Sequence, residues 1–463
     1  MQRNEEFMKV ILLSGGSGQR LWPLTNGARA KQFIKVLMNE QGHPESMIQR
    51  VWRQLVGSGL ADKAVFAIGK DQQVMLHKQL GKEIRMVIEP ERRDTFPAIA
   101  LVAAYFNSVE RISLQEVIGV IPVDPMVDDS FFERVNETEE ILTRSGADLA
   151  LIGALPTFPT EKYGYIIPEA RGSQENYWVV KEFKEKPQPV EAQKLMEQKA
   201  LWNCGVFAFR LNFLLKILEE QNLPTDYDKL LAHYDLLPKI SFDYQVVERS
   251  RNIVVLPYTG RWKDLGTWNA LTEEMPQKVL GKGIISGSDN VHLINELSIP
   301  VLAVGLSNSV VVATPDGILV SDKQMSPQIK QFVGKIEQRP MYEERGWGWY
   351  KVLEHVNYDD GYEILVKRLG ISAGKNLSYQ RHFQRSETWT IIQGRGEVAL
   401  NGVILSVKAG SVLEISQGDA HSLHAITDLE VIEIQKGSHL VEQDIERILF
   451  SWSEIERKCC HKR

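Results

Sequence analysis

Cysteine is scarce in this chain. Three residues, Cys204, Cys459 and Cys460, among 463 cannot build a disulfide framework, and without a CxxC pair they offer no thiolate zinc site. A basic excess is missing as well: Lys plus Arg number 54 against 60 Asp plus Glu, a net charge of −6, so no nucleic-acid partner is expected. The longest apolar run, Ala98 to Phe106, falls far short of the roughly 20 residues that span a bilayer, and no membrane partner is expected. The opening MQRNEEFMKV is polar and mixed in charge. It does not read as a signal peptide, and a cytoplasmic location is expected. No low-complexity tract divides the chain, which points to packed domains. What is there is ordinary for a soluble globular protein, 43% hydrophobic and 25% charged, and the length suggests two or three domains.

Residues 1–275 alternate apolar runs with helix-like stretches, the pattern of an α/β domain around a mostly parallel sheet. Lys9–Leu13, Val65–Gly69 and Val117–Val123 read as strands. A buried helix entered through Pro97 follows from AIALVAAYF, and Met47–Leu60 and Val190–Ala200 have helical composition. The texture changes near residue 276. Short β segments with frequent Gly, Asn and Asp up to residue 338 predict a small β subdomain or stacked β coils. From 339 to 463, strand-length runs between glycine turns predict an antiparallel barrel or sandwich.

The first strand runs into Ser14-Gly15-Gly16-Ser17-Gly18. Glycines let a backbone approach phosphates, and successive N–H groups make an anion cradle. The loop is neither the GK[ST] pattern nor GxGxxG, and on glycine alone a plain tight turn is an equal reading. Arg20 and Lys31 follow shortly, adding cations where phosphoryl transfer needs charge neutralised.

GGSGQRLWPL followed by KQF resembles the signature of the sugar-nucleotide pyrophosphorylases, most closely the mannose-1-phosphate guanylyltransferases. Further blocks match in order: Arg93-Asp-Thr95-Phe-Pro97, Pro122-Val-Asp124-Pro, Tyr163-Gly164-Tyr-Ile, Phe183-Lys-Glu185-Lys186-Pro, Trp202-Asn203-Cys-Gly205-Val-Phe and Trp262-Lys-Asp264-Leu-Gly-Thr-Trp. Asp94, Pro125, Ala30 and Cys204 depart from the family pattern.

The resemblance implies a Rossmann-like nucleotidyltransferase domain that joins GTP to mannose 1-phosphate, giving GDP-mannose and pyrophosphate. It implies that Asp124 and Asp264 hold Mg²⁺, a hard ion suited to a few carboxylates plus substrate phosphates. It assigns the nucleotide to Ser14, Gly15, Gly16, Gly18, Arg20, Lys31, Arg93 and Thr95. Tyr163, Gly164, Glu185, Lys186, Asn203 and Gly205 would hold the sugar phosphate. Arg20, Lys31, Asp124 and Asp264 would carry catalysis.

Near the C-terminus Gln380, His382, Glu387 and, after a second turn, His421 offer O, N, O and N donors, a set suited to zinc, cobalt, manganese or iron. As single residues they read more often as unrelated polar groups on a β surface, since one histidine is usually structural. The spacing resembles the cupin barrel, and the region resembles the isomerase half of the bifunctional phosphomannose isomerase/guanylyltransferases. Where that family commonly reads QxHHHRAEHW, this chain has Phe383, Gln384 and Thr388 in place of three histidines. Two readings of this end stay open, an active mannose 6-phosphate/fructose 6-phosphate isomerase and a structural, oligomerising remnant. A homo-oligomer, in the simplest case a dimer, is expected. Alternatives for the whole chain are a pyrophosphorylase for another sugar 1-phosphate or nucleotide, and a catalytically silent sugar-nucleotide sensor.

Overall fold

The computed structural model describes residues 8–16, 18–169, 176–336 and 339–461. Ser17 of the glycine loop and the first seven residues lie outside the described set. The chain forms two compact units. One comprises the chain up to Thr25, Ala30–Lys278 and Asp322–Lys330; the other comprises Asn26–Arg29, Val279–Ser321 and the chain from Gln331 onward.

The first unit is built on a nine-stranded sheet. Its strands are β1 (Lys9–Leu13), β2 (Ala64–Gly69), β3 (Met86–Glu89), β4 (Val117–Pro122), β5 (Leu149–Ala154), β6 (Tyr165–Pro168), β7 (Trp178–Lys184), β8 (Leu201–Arg210) and β9 (Ile253–Tyr258). Their spatial order is β3-β2-β1-β4-β8-β5-β9-β7-β6, with β8 also pairing β6. The sheet is mostly parallel, as the sequence predicts, but β7 and β8 run against the other seven. β1, β2, β4 and β5 read as nearly unbroken apolar runs because both sheet faces are covered. Alternate residues serve opposite faces: Ile11 packs into one core cluster, Val10 and Leu12 into the other.

The helix expected at Pro97 spans Thr95–Tyr105, starts after Asp94, whose carboxylate accepts from Thr95 N, and is buried from Phe96 to Ala104. The Met47–Gly57 helix carries a reciprocal Ser46/Gln49 capping box, and the Pro189–Glu197 helix starts on a proline. β1 connects outward to β2 and β3, whereas β4 lies on the other side of β1. The crevice where ligands gather in open α/β sheets therefore opens beyond Leu13 and Pro122.

The second unit begins with stacked β coils. Val279–Gly281, His292–Asn295 and Ser309–Thr314 pair in parallel, as do Gly283–Ser286 and Val301–Val304. The registers Gly283↔Val301 and His292↔Val310 set a step of 18 residues between two of the coils, while Val279↔Leu293 sets a step of 14 before them. Leu293, Ala303 and Val311 fill the coil interior, and the Asn290 amide donates to Asn308 Oδ1, one coil on, at 2.8 Å. Two six-stranded sheets follow, antiparallel except where Cys460–His461 joins Val403–Lys408. Trp389, Leu365, Leu423 and Val431 lie in the core between them. Among the described residues, no helix is long and apolar enough to cross a membrane.

Candidate functional site

Asp124 lies two residues past the end of β4, at the crevice. The next residues, Pro125–Val127, pair antiparallel with Trp262–Asp264 so that Asp264 faces Pro125. This short ribbon brings two carboxylates 140 positions apart in the sequence to one place. The Lys31 ammonium, on the 3-10 turn Lys31–Phe33, hydrogen-bonds Asp124 Oδ2 and lies 3.9 Å from Asp264 Oδ1. Burial works against its charge, but the two aspartates outweigh that and hold Lys31 above the ordinary lysine value. Gly266 N donates to Asp264 Oδ1 at 2.9 Å, which fixes the carboxylate.

The glycine loop lies beside this group. Ser14 is fully buried, and its carbonyl and hydroxyl both accept from Gln32 Nε2 at 2.7 and 3.1 Å. Gly15 and Gly16 are exposed with open space around them, and Gly16 has φ +109°. Gly18 (φ +62°) has no room for a side chain, because a Cβ would come within 2.9 Å of Lys31 Cβ. Arg20, on the turn after the loop, is close enough to Lys31, Lys162 and Tyr163 to influence their titration.

A cleft of about 210 Å³ extends from the two aspartates past Lys162, Tyr163 and Gly164 to Glu185, Asn203, Gly205 and Asp243. Gly164 is fixed by close approach: a Cβ would press into Glu185 Oε2 and meet Phe183 Cζ at 2.7 Å. Asn203 Nδ2 donates to Asp243 Oδ1 at 2.7 Å, and its Oδ1 accepts from Gly205 N at 3.0 Å. The Glu185 carboxylate is buried, bonded to Lys186 through Oε1, while Oε2 has no partner. Burial and nearby Asp243 push its pKa up to about 7, against the pull of Lys186. Tyr163 stands edge-on to Trp202 and Trp262, and burial raises its phenol.

Of the residues expected here, Lys186 meets the cleft only through Glu185, and Arg93 and Thr95 do not line it. Arg93 donates to Asp235 O at 2.7 Å and pairs with Glu91. Thr95 Oγ1 accepts from Phe242 N at 2.8 Å and so seats the helix Phe242–Gln245 that carries Asp243. Sequence reasoning missed Asp243, Lys162 and Trp262. Lys162 adjoins a quoted block and Trp262 opens one without being given a role, but Asp243 sits on a four-residue helix with no periodic signal.

In the second unit Gln380 and His421 are directly opposed on neighbouring strands, and Glu387 reaches them from the other sheet. His382, Glu387 and His421 are all buried, and their donor atoms lie within 4.8 Å of one another. His382 Nε2 is 3.4 Å from Glu387 Oε1, and His421 Nε2 is 3.6 Å from Glu387 Oε2. Asp444 O and Asp419 O fix the two Nδ1 atoms at 2.5 and 2.9 Å, which turns both Nε2 atoms toward the cluster. Buried His421 Nε2 has no hydrogen-bond partner. An orphaned ring nitrogen beside an imidazole and a carboxylate fits a borderline divalent metal. Gln380 is oriented differently from a ligand: its Oε1 accepts from Ser378 Oγ at 2.7 Å, and its Nε2 faces His382 Nε2 at 3.3 Å.

Arg385 Nε donates to Glu387 Oε1 at 2.9 Å. Burial disfavours ionised Glu387, but His421, Arg385 and His382 prevail and hold its carboxyl down at about 2. Burial takes His382 down to about 4. Burial and the neighbouring Glu387 push Glu433 up to about 8. Phe383 and Gln384 are exposed, and Thr388 lies on the strand face opposite Glu387 and Trp389. The three absent histidines therefore belong to positions outside the buried cluster. Gln380 and Glu387 line a cavity of about 380 Å³ together with Glu433, Gln435 and several cations.

Comparison with known proteins agrees with both halves. Residues 9–279 match the nucleotidyl transferase family, and residues 336–449 match the mannose-6-phosphate isomerase C-terminal family. A Salmonella muenchen protein named mannose-1-phosphate guanylyltransferase is 30% identical, covering 95% of this chain and 97% of its own. The xanthan biosynthesis protein XanB of Xanthomonas campestris pv. campestris (strain B100) is also 30% identical, over 94% of this chain and 97% of its own. A crystal structure described as mannose-1-phosphate geranyltransferase from Thermus thermophilus shares 26% identity, covers 72% of this chain and all of its own, and aligns with a TM-score of 0.60.

Proposed function

This chain belongs to the nucleotidyl transferase family, and from that premise we propose that it transfers GMP from GTP to α-D-mannose 1-phosphate, giving GDP-mannose and pyrophosphate. The observation that carries the proposal is the Lys31 ammonium set between Asp124 and Asp264 at the head of a cleft ending in Glu185 and Asn203. A phosphate oxygen of the sugar attacks the α-phosphorus, the bond from that phosphorus to the α–β bridging oxygen breaks, and pyrophosphate leaves with the electron pair. Both reactants are anions, so positioning and charge neutralisation supply most of the acceleration.

Asp124 and Asp264 would hold Mg²⁺, which when bound neutralises phosphate charge. The loop N–H groups at Gly15 and Gly16 cradle phosphates, and Arg20 and Lys31 brace the α-phosphate and the leaving group. Glu185, with its free Oε2, and Asn203 accept and donate to sugar hydroxyls, while Lys186 meets the sugar phosphate. Thr95 acts indirectly, through the helix that places Asp243 beside Asn203, and Arg93 braces the segment at Asp235. The reading carries with it a cytoplasmic location, where GTP is made, and a homodimer that sedimentation would test.

Magnesium-dependent pyrophosphate release across GTP, ATP, UTP and dTTP with several sugar 1-phosphates tests the proposal. Turnover confined to GTP with mannose 1-phosphate is expected; a different preferred pair would overturn the substrate assignment, and silence would overturn the activity.

A second activity is favoured by the buried His382–Glu387–His421 cluster, which the three missing histidines leave untouched. In this reading the second unit interconverts mannose 6-phosphate and fructose 6-phosphate, and His382, Glu387 and His421 would hold a divalent metal, which would supply Lewis-acid polarisation of the sugar oxygens. Failure of zinc-, cobalt- or manganese-loaded protein to convert fructose 6-phosphate would remove it.

A further inference from the structure

The cavity beside the His382–Glu387–His421 cluster is lined by five cations, and they differ in their partners. Lys367 is held by Glu442 at 2.8 Å, Arg385 by Glu387 at 2.9 Å and Arg345 by Glu343 at 2.7 Å. Lys375 and Arg447 face the same cavity, yet neither has an acidic partner or a side-chain hydrogen bond among the described residues. Charged side chains lining a concave site without counter-charges leave a net positive field inside it, and such fields concentrate anions.

The placement of Arg447 is set by the sheet. It lies directly across from Gln380 on neighbouring antiparallel strands, so the two side chains project to the same face. Gln380 in turn is 3.3 Å from His382 Nε2. Lys375 sits on the turn before Tyr379–Arg381. The next residue, Asn376, donates to Phe450 O at 3.0 Å and to Leu377 O at 2.8 Å, tying that turn to the strand Glu446–Leu449 that carries Arg447. Both cations are therefore built onto one edge of the cavity, and Glu387 of the buried cluster lines the same space.

We propose that Lys375 and Arg447 form the anchor for a phosphomonoester whose sugar portion reaches toward the His382–Glu387–His421 cluster. The proposal rests on the reading of this unit as a hexose 6-phosphate isomerase. A phosphomonoester carries close to two negative charges near neutral pH and several strong acceptor oxygens, which matches two unpaired cations. Arg447 brings a planar fork suited to two phosphate oxygens, Lys375 a point charge on a flexible stem. The paired cations Lys367 and Arg385 are already neutralised, so they shape the cavity without competing for the phosphate.

The test uses the full-length, metal-loaded protein and reads binding of fructose 6-phosphate and of inorganic phosphate by titration calorimetry, alongside isomerase turnover. Arg447→Met and Lys375→Met together should raise the fructose 6-phosphate Kd and KM at least tenfold and weaken inorganic phosphate in parallel. The kcat at saturation, the metal content by mass spectrometry and the pyrophosphate-releasing activity of the other unit should be preserved. Arg447→Lys should recover part of the loss. Normal isomerase turnover with unchanged KM in the double variant would overturn the anchor and leave the isomerase standing. Phosphate binding that depends on Arg447 and Lys375, without interconversion of the two sugars, would keep the anchor and remove the isomerase. No binding of either ligand by the parent protein would overturn both.

Discussion

Lys31 is the residue whose surroundings say most about the first unit. An ammonium held by two carboxylates gives Asp124 and Asp264 a counter-charge of their own, so the aspartates can face each other without a bound ion. Lys31→Met should therefore have two opposite effects. Turnover should fall by about 10²–10³-fold, the usual loss when one charged stabiliser of a transition state is removed. Binding of Mg²⁺ should tighten by roughly threefold to tenfold, because the cation no longer competes with an ammonium. Single-turnover kinetics and Mg²⁺ titration check both, and weaker Mg²⁺ binding would contradict the arrangement.

Glu185 makes a prediction in pH. Its folded pKa, about 7, lies above the ordinary 4.5. Below about pH 4.5 it is protonated whether the chain is folded or not, and it costs nothing. Between 4.5 and 7 the unfolded chain ionises first, so the contribution of Glu185 to stability declines as pH rises and then levels off. Glu185→Gln, which resembles the protonated form, should gain stability relative to the parent protein across that window, read by denaturant titrations at several pH values. If the carboxylate accepts from sugar hydroxyls, KM for the sugar phosphate should fall as pH rises through about 7, and the variant should lose that dependence.

Among the elements, the ribbon of Pro125–Val127 and Trp262–Asp264 joins the two aspartates, and the turn at Gly164 shapes the sugar end of the cleft. A methyl group at Gly164 has nowhere to go, since both Glu185 and Phe183 lie within 2.7 Å of it. Gly164→Ala should cost about 1–3 kcal/mol, the range for overpacked sites, and should raise KM for the sugar phosphate more than KM for the nucleotide. Thermal unfolding and steady-state kinetics separate the two effects. At this level the sequence is most readable where an element has its own local signal. β1 and β4 are continuous apolar runs that end in the residues they position, and the Thr95–Tyr105 helix follows a proline and a long apolar stretch. Asp243 and Lys162 escape because their elements are short and their neighbours in the cleft come from distant parts of the chain. The reversed strands β7 and β8 escape for a related reason: their direction depends on pairing partners, which periodicity does not encode.

At the level of the whole molecule, two units with separate hydrophobic cores carry two sets of chemistry. The grouping of His382, Glu387 and His421 is legible through the cupin-like spacing, because the three lie on or beside strands that converge. The orientation of Gln380 is not legible there, since Ser378 decides it. A ligand that binds only the folded state stabilises by mass action. Removing transition metal with a zinc-selective chelator in excess Mg²⁺ should therefore lower the unfolding temperature of the second unit and leave the first in place, seen in calorimetry as the shift of one transition. Zinc or cobalt should restore it. Glu387→Gln should abolish the response to metal, because the carboxylate is the charged member of the cluster. A chelator effect on both transitions, or on neither, would count against a metal confined to that cluster.

The stacked coils have a consequence for chain length. Because the coil at 283–295 superimposes on the coil at 301–313 after 18 residues, with Asn290 bonded to Asn308 and Gly283 opposite Val301, this pair repeats in the way two steps of a spiral staircase do. Duplicating residues 290–307 inserts a whole step: each side chain above and below keeps its kind of neighbour, inward residues stay inward, and the amide ladder gains a rung. Inserting nine residues would place inward positions over outward ones and break the ladder. Between Gly283 and Ala313 the chain should therefore accept a whole 18-residue step better than half of one, and the two insertions, compared by circular dichroism and cooperative unfolding, would show that difference directly.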